Sequence, residues 1–259
     1  MTNLRAENRP FIDQGTGHPT LIFLHYFGGS AATWQWVIPS LQSEFRCIAL
    51  DLPGFGNEPP LEQPSLDSYT HFIWEALSGL GVEQFILIGH SMGAKIALQV
   101  AASSVFKVPQ QVILVAPSPP TCEPMPDEER QRLLNYHPSD DNAATTVDQA
   151  SQTSLSEERR SLAIQTHTQA ANSAWQWWLQ TGMNHSIAEQ LENIRVPVTV
   201  LASQEDPVIP FETVQQDVLG LLKQVRLVEM SGLGHLMPLE APERVAQVIR
   251  ANIEQPIPS

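Results

Sequence analysis

A short glycine-flanked stretch, Gly89-His90-Ser91-Met92-Gly93, offers the clearest chemistry in the 259-residue chain. It follows an apolar run, residues 85–88, and leads into a helical pattern. G-x-S-x-G between a strand and a helix is the pattern of a nucleophile elbow. A sharp turn there would hold Ser91 strained and lift it above a sheet, at the positive end of the following helix. The flanking glycines leave room for the crowded backbone. A serine hydroxyl is a weak nucleophile and needs a base, and the base needs an orienting carboxylate. Eight histidines and 28 acidic residues supply candidates, so position in the fold must choose among them.

The elements that would do the positioning are short and alternate in type. Apolar runs at 20–25, 45–50, 85–89, 111–116, 196–202 and 225–229 read as strands. Helical spacing occupies 66–80, 94–103, 213–222 and 242–253. Strands apolar throughout and separated by helices imply a mostly parallel sheet covered on both faces. Right-handed crossovers make it a doubly wound α/β sheet. Residues 118–194 break the rhythm with polar, helical sequence and no strand. They read as a helical cap inserted in a core formed by 1–117 and 195–259. Gly15-Thr16-Gly17 reads as a turn between early strands.

The order of motifs resembles the α/β-hydrolase superfamily over nearly the whole chain. His25-Tyr26-Phe27-Gly28-Gly29 is similar to the family's HGxGG-type loop, and Asp51-Leu52-Pro53-Gly54-Phe55-Gly56 to its D-x-P-G-x-G turn. Ser203 to Pro210 resembles the acid loop, and Gly234-His235, followed by Pro238 to Glu243, the GHxxxxExP ending. The resemblance implies a triad of Ser91, Asp206 and His235, with the amides of Phe27 and Met92 as oxyanion hole. Glu205 is the rival acid, its side chain expected to point away from the histidine. The implied activity is hydrolysis of small, fairly apolar carboxylic esters through an acyl-enzyme, with lactones, thioesters and amides as variants. Carbon–carbon hydrolysis, hydroxynitrile-lyase-like cleavage, perhydrolysis and slow-turnover ligand reception are rivals on the same fold. An aspartate nucleophile, as in related epoxide hydrolases and haloalkane dehalogenases, is absent from the elbow. No metal or organic cofactor is implied.

Two departures stand out. Tyr26 replaces the usual glycine after the loop histidine, and its ring either packs over the loop or brings its hydroxyl to the pocket. Trp175 and Trp178 share a helix face while Trp177 lies off it. These rings either anchor the cap or line an apolar pocket. Tyr26, His90, Trp178 and Leu236 are the candidate substrate-binding residues, with Met183 and Met237 as further wall. His25 and His90 are expected to make structural hydrogen bonds beside the pocket. His18, His71, His137, His167 and His185 lack metal-ligand spacing and read as surface or cap residues.

Charge narrows the partners. Fourteen Lys and Arg against 28 Asp and Glu leave a net charge of −14, the wrong sign for neutralising nucleic-acid phosphates or docking on anionic lipid. Residues 118–194 carry 11 of the acids, four arginines and no lysine, half the surplus. On a cap those acids would either disfavour anionic substrates or simply solvate its outer face. No run approaches the ~18 apolar residues of a membrane span. Met1 to Pro10 lacks a secretory signal's apolar run, and Cys47 and Cys122 lie in unrelated contexts. A cytoplasmic enzyme acting on a small molecule is expected, with oligomeric state unassigned.

Overall fold

A computed structural model describes residues 11–103 and 108–254. The reading of Met1 to Pro10 and of the Pro-containing C-terminal end lies outside them. Among the described residues seven strands, β1 (Phe11–Gln14), β2 (Thr20–Leu24), β3 (Cys47–Leu50), β4 (Phe85–His90), β5 (Gln111–Val115), β6 (Val198–Ala202) and β7 (Val225–Glu229), form one sheet in the order 1-3-2-4-5-6-7. All neighbours pair in parallel except β1, which runs antiparallel to β3 with Phe11 opposite Leu50. β1 is the strand that sequence patterning does not reveal: four residues, Phe-Ile-Asp-Gln, are too few to establish a period. Its Asp13 is held instead by a two-bond pair with Arg46.

β2 to β6 are buried from end to end. Their side chains alternate between two apolar layers, so Ile22 and Leu24 face one helix layer and Leu21 and Phe23 the other. The first layer contains α1 (Leu66–Gly79) and α2 (Met92–Ala102); the second contains the short α8 (Met237–Glu240) and the C-terminal α9 (Pro242–Glu254). α1 starts at a capping box in which Ser65 and Ser68 satisfy each other's backbone amides. α9 buries Val245, Ala246, Ile249 and Asn252, the i, i+1, i+4, i+7 stripe of an amphipathic helix. The expected helix at 213–222 is present but irregular: α7 (Phe211–Thr213) runs into a π-helical turn, Val214–Val218, and then a 3-10 turn, Leu219–Leu221. Gly220 and the β-branched Val214 and Val218 weaken regular α-helical geometry there.

Between β5 and β6 lie α3 (Asp127–Asn135), α4 (Asp140–Ala150), α5 (Glu157–Gln169) and α6 (Asn172–Trp177), which continues as a π-helical turn, Trp178–Gly182. Ser139 and Ser156 accept from the third amide of α4 and α5 as N-caps. Seven of the segment's acids, Asp127, Glu128, Glu129, Asp140, Asp141, Glu157 and Glu158, sit in first turns. There the helix dipole favours negative charge. Much of the acid surplus is therefore helix-starting chemistry. Cys47, in β3, and Cys122, after β5, are both free thiols. No helix among the described residues is long and apolar enough to cross a membrane.

Candidate active site

The chain reverses its direction of travel across the sheet between β2 and β4. Loops leaving the C-terminal ends of these adjacent strands diverge and open a crevice, the favoured ligand position in a doubly wound sheet. Ser91 sits at the end of β4 with φ 53° and ψ −114°, outside the ordinary regions for a side-chain-bearing residue. Its carbonyl accepts from Ala94 and Ser118, and its amide donates to Val115. The glycines around it are sterically required. A Cβ on Gly89 would lie 2.3 Å from the Gly93 carbonyl oxygen, and one on Gly93 would lie 2.6 Å from the carbonyl oxygens of Leu24 and His25.

Two other loops converge on the serine. His235, in the loop after β7, places Nε2 2.8 Å from Ser91 Oγ and Nδ1 2.9 Å from Asp206 Oδ2. Facing a carboxylate, Nδ1 carries the proton, which leaves Nε2 to accept from the hydroxyl. Asp206, in the loop after β6, is fixed through Oδ1 by the amides of Val208 (2.8 Å) and Ile209 (3.0 Å). Glu205 turns away, accepting from the Ser203 hydroxyl and the Gly232 amide. Burial pulls the His235 imidazolium down, but Asp206 outweighs it, with Glu123 and Glu240 adding to the effect, and the group ends above an ordinary histidine.

Ser91 and His235 open into a cavity of about 250 Å³. Tyr26, Phe27, Trp178 and Leu236 line it as well, with Leu133 and Val147 adding apolar wall. Phe27 lies in the loop after β2 and Met92 opens α2, both at the crevice, and among the described residues neither amide has a backbone acceptor. Tyr26 is buried, and its hydroxyl lies near the Thr166 side chain but makes no bond in hydrogen-bonding geometry.

His90 departs from its expected place in the pocket. It does not line the cavity; its Nε2–H donates to the His235 carbonyl (2.8 Å), and its ring packs between Tyr26 and Trp34. Burial, then the neighbouring His235 charge, holds it well below an ordinary histidine, so it is a neutral strut. His25 is another: Nδ1–H donates to the Tyr26 carbonyl and Nε2 accepts from the Leu52 amide. Met183 and Met237 are core rather than cavity residues.

The tryptophans divide the work. Trp178 lines the cavity, while Trp175 stacks on His137 at 4.1 Å and contacts Phe27, and Trp177 stacks on Tyr69 at 4.8 Å.

Three features escape sequence reasoning. His167, read as a surface or cap residue, lies on α5 of the inserted segment but is buried in the cavity wall, its ring seated against Gly28, whose φ of +82° and lack of a Cβ make the contact. Burial pushes it down to about 4. Glu123 also faces the cavity. Finally, Glu240 Oε2 accepts from the amides of Gly234, Gln152 and Thr153 and from the Thr153 hydroxyl, while the His235 amide donates to the Ala150 carbonyl. The inserted segment is thereby tied to the histidine loop. Only the Glu of the GHxxxxExP ending signals this beforehand. Among the described residues no cluster of three or more His, Cys, Asp or Glu side chains could hold a metal ion.

A doubly wound sheet bearing a serine–histidine–aspartate chain at its switch point defines a class of α/β protein. The chain belongs to the alpha/beta hydrolase family, whose profile matches residues 21–248. A bifunctional biotin biosynthesis protein from Cellvibrio japonicus is 26% identical over 245 residues, covering 90% of this chain and 47% of that protein. The 2-succinyl-6-hydroxy-2,4-cyclohexadiene-1-carboxylate synthase of Serratia proteamaculans is 27% identical over 256 residues, covering 95% of this chain and 97% of the synthase. The chain spans less than half the length of the first curated relatives it matches. An esterase from Exiguobacterium antarcticum shares the fold, with a TM-score of 0.87, 18% identity and 95% of each chain covered.

Proposed function

We propose that the protein is a serine hydrolase that cleaves small, fairly apolar carboxylic esters through an acyl-enzyme. The observation that carries this reading is the unbroken hydrogen-bonded chain Asp206–His235–Ser91 ending in a largely apolar cavity. Ser91 Oγ attacks the ester carbonyl carbon as His235 Nε2 takes its proton. Asp206 holds the tautomer and stabilises the imidazolium. The Phe27 and Met92 amides receive the negative oxygen, each worth about 3–4 kcal/mol in the transition state. His235 then protonates the leaving alkoxide, which departs as the alcohol. Water, deprotonated by the same nitrogen, attacks the acyl-enzyme; the acid leaves and Ser91 recovers its proton.

Residues 118–194 act as a cap that closes the pocket, with Trp178 on its inner wall. The reaction needs no metal or organic cofactor. The free thiols of Cys47 and Cys122 support a cytoplasmic address.

The Tyr26 hydroxyl, which makes no bond in good geometry despite Thr166 nearby, favours one second reading, in which it donates to a substrate oxygen during carbon–carbon cleavage. Profiling activated esters by chain length, beside lactones, thioesters and carbon–carbon substrates, separates the two. Ser91→Ala is expected to lower kcat/KM on the best ester by at least ~10⁴-fold. Full retention of kcat/KM would overturn the mechanism. Faster turnover of a carbon–carbon substrate, lost in Tyr26→Phe, would favour the second reading.

A further inference from the structure

The pocket wall contains a carboxyl that the mechanism does not use. Glu123 is 6% exposed, lines the same cavity as Ser91 and His235, and its Oε2 is buried with no partner in hydrogen-bonding geometry, although the Ser118 hydroxyl lies close enough to act on the carboxyl. A buried, unsatisfied carboxyl oxygen is costly, so its retention needs a reason.

The backbone around it is not loose. Ser118 donates to the Ser91 carbonyl (3.2 Å), Ile187 to the Pro120 carbonyl (2.7 Å), and Glu123 itself to the Met183 carbonyl (2.9 Å). Lys95 is buried nearby and its charge is felt at Glu123, but its ammonium donates to the carbonyls of Thr121 (2.8 Å) and Met183 (3.0 Å). Among the described residues it makes no ion pair with Glu123. Glu129, the other carboxylate on the cavity wall, is different, because both its oxygens are held by Arg132. Burial pushes the Glu123 carboxyl up from the usual range, against the pull of the Ser118 hydroxyl, His235 and Lys95.

We propose that Glu123 is a specificity-determining residue: its carboxyl docks a hydrogen-bond donor carried by the substrate, a hydroxyl or protonated amine. It also turns away substrates that present a carboxylate or phosphate to that wall. The remaining wall is mostly apolar, so one rigidly held polar point can orient a substrate that otherwise binds by its hydrocarbon. A site shaped around a substrate donor discriminates well, because the analogue lacking it leaves the protein group unpaired. The proposal deepens the ester-hydrolase reading and rests on it only for the bond that is cleaved.

The test uses Ser91→Ala protein, which binds without turnover. The probes are nitrophenyl esters of two- to six-carbon acids ending in methyl, hydroxyl, amine or carboxylate, followed by quenching of tryptophan fluorescence. At the best chain length the hydroxyl- or amine-ended ester is expected to bind about tenfold more tightly than its methyl-ended match, and the carboxylate-ended one more weakly. Adding Glu123→Met should reduce the donor preference to under about twofold. Adding Glu123→Gln should keep part of it and abolish the carboxylate penalty. Preferences unmoved by both substitutions overturn the proposal. If donor preference is present and depends on Glu123 while wild type turns over no ester, the hydrolase reading fails and the specificity role stands.

Discussion

The strands that position Ser91 and Asp206 are buried along their full length, whereas each helix between β5 and β6 buries at most three side chains. Each fully buried Val, Leu or Ile contributes about 1.5–3 kcal/mol, so the sheet is held by many large increments. The inserted segment is held by particular ties: Trp175 Nε1–H to the Leu133 carbonyl, Ala171 to the Gly54 carbonyl, and the Glu240 clamp. Polar groups at the site differ in the same sense, although buried atoms without a hydrogen bond also occur in the frame, at Trp34 Nε1, Thr70 Oγ1 and Gln99 Oε1. At the C-terminal edge of the sheet, Asp206 has all its bonds made, while Tyr26 and Glu123, facing the inserted helices, each keep a buried oxygen without a hydrogen bond. A heavily packed frame suits fixed chemistry, and a lightly packed wall with open polar points suits choice of substrate.

The strongest challenge to this division is Asp206→Asn. It should preserve fold and pocket while lowering kcat by roughly 10³–10⁴-fold, because the amide favours the wrong imidazole tautomer. A loss under tenfold would show that the frame does not set the chemistry through Asp206.

Acid should strike the pocket wall next. Burial keeps His167, with His25 and His90, less basic than in the unfolded chain. The unfolded state therefore binds more protons below pH ~6.5, and stability falls as the pH drops from there. His167 alone accounts for about 3 kcal/mol by pH ~4. His235 has the opposite sign: its contribution is present below pH ~6.5 and fades as pH rises through its elevated folded value. Urea unfolding between pH 4 and 8 should show a shallower acid slope in His167→Gln than in wild type, and an identical slope would refute the assignment.

Glu240→Ala cuts the tie between the two regions. A loss of about 1–3 kcal/mol in stability is expected from the abandoned amides, with kcat reduced about tenfold as His235 loses its support. Glu240→Gln, which can still accept, should recover part of both. Unchanged kcat in the alanine variant would mean that the histidine loop holds itself. At the small end, Arg160→Ala removes an exposed pair with Asp148 on α4. It should leave melting temperature and kcat/KM unaltered, as exposed pairs usually do.

Most of the sheet and all three residues of the serine–histidine–aspartate chain are legible in the sequence, because what dictates them is short-range. A run of buried β-branched residues declares a strand, and Gly89 and Gly93 are the only residue type their neighbours' backbones admit. Asp206 and His235 follow from family order, and their loops are short enough that order nearly implies place. Long-range contact decided the remainder. The four residues of β1 acquire a strand's identity only by pairing with β3. The acids of residues 118–194 look alike as letters, yet seven start helices and Glu123 enters the pocket. His167 gives no hint in its own segment that it will rest on Gly28. Weakly apolar helices carry too little local pattern to specify which face turns inward; that choice is made where they meet the sheet, by the fit of a few rings and the bonds of single carboxylates.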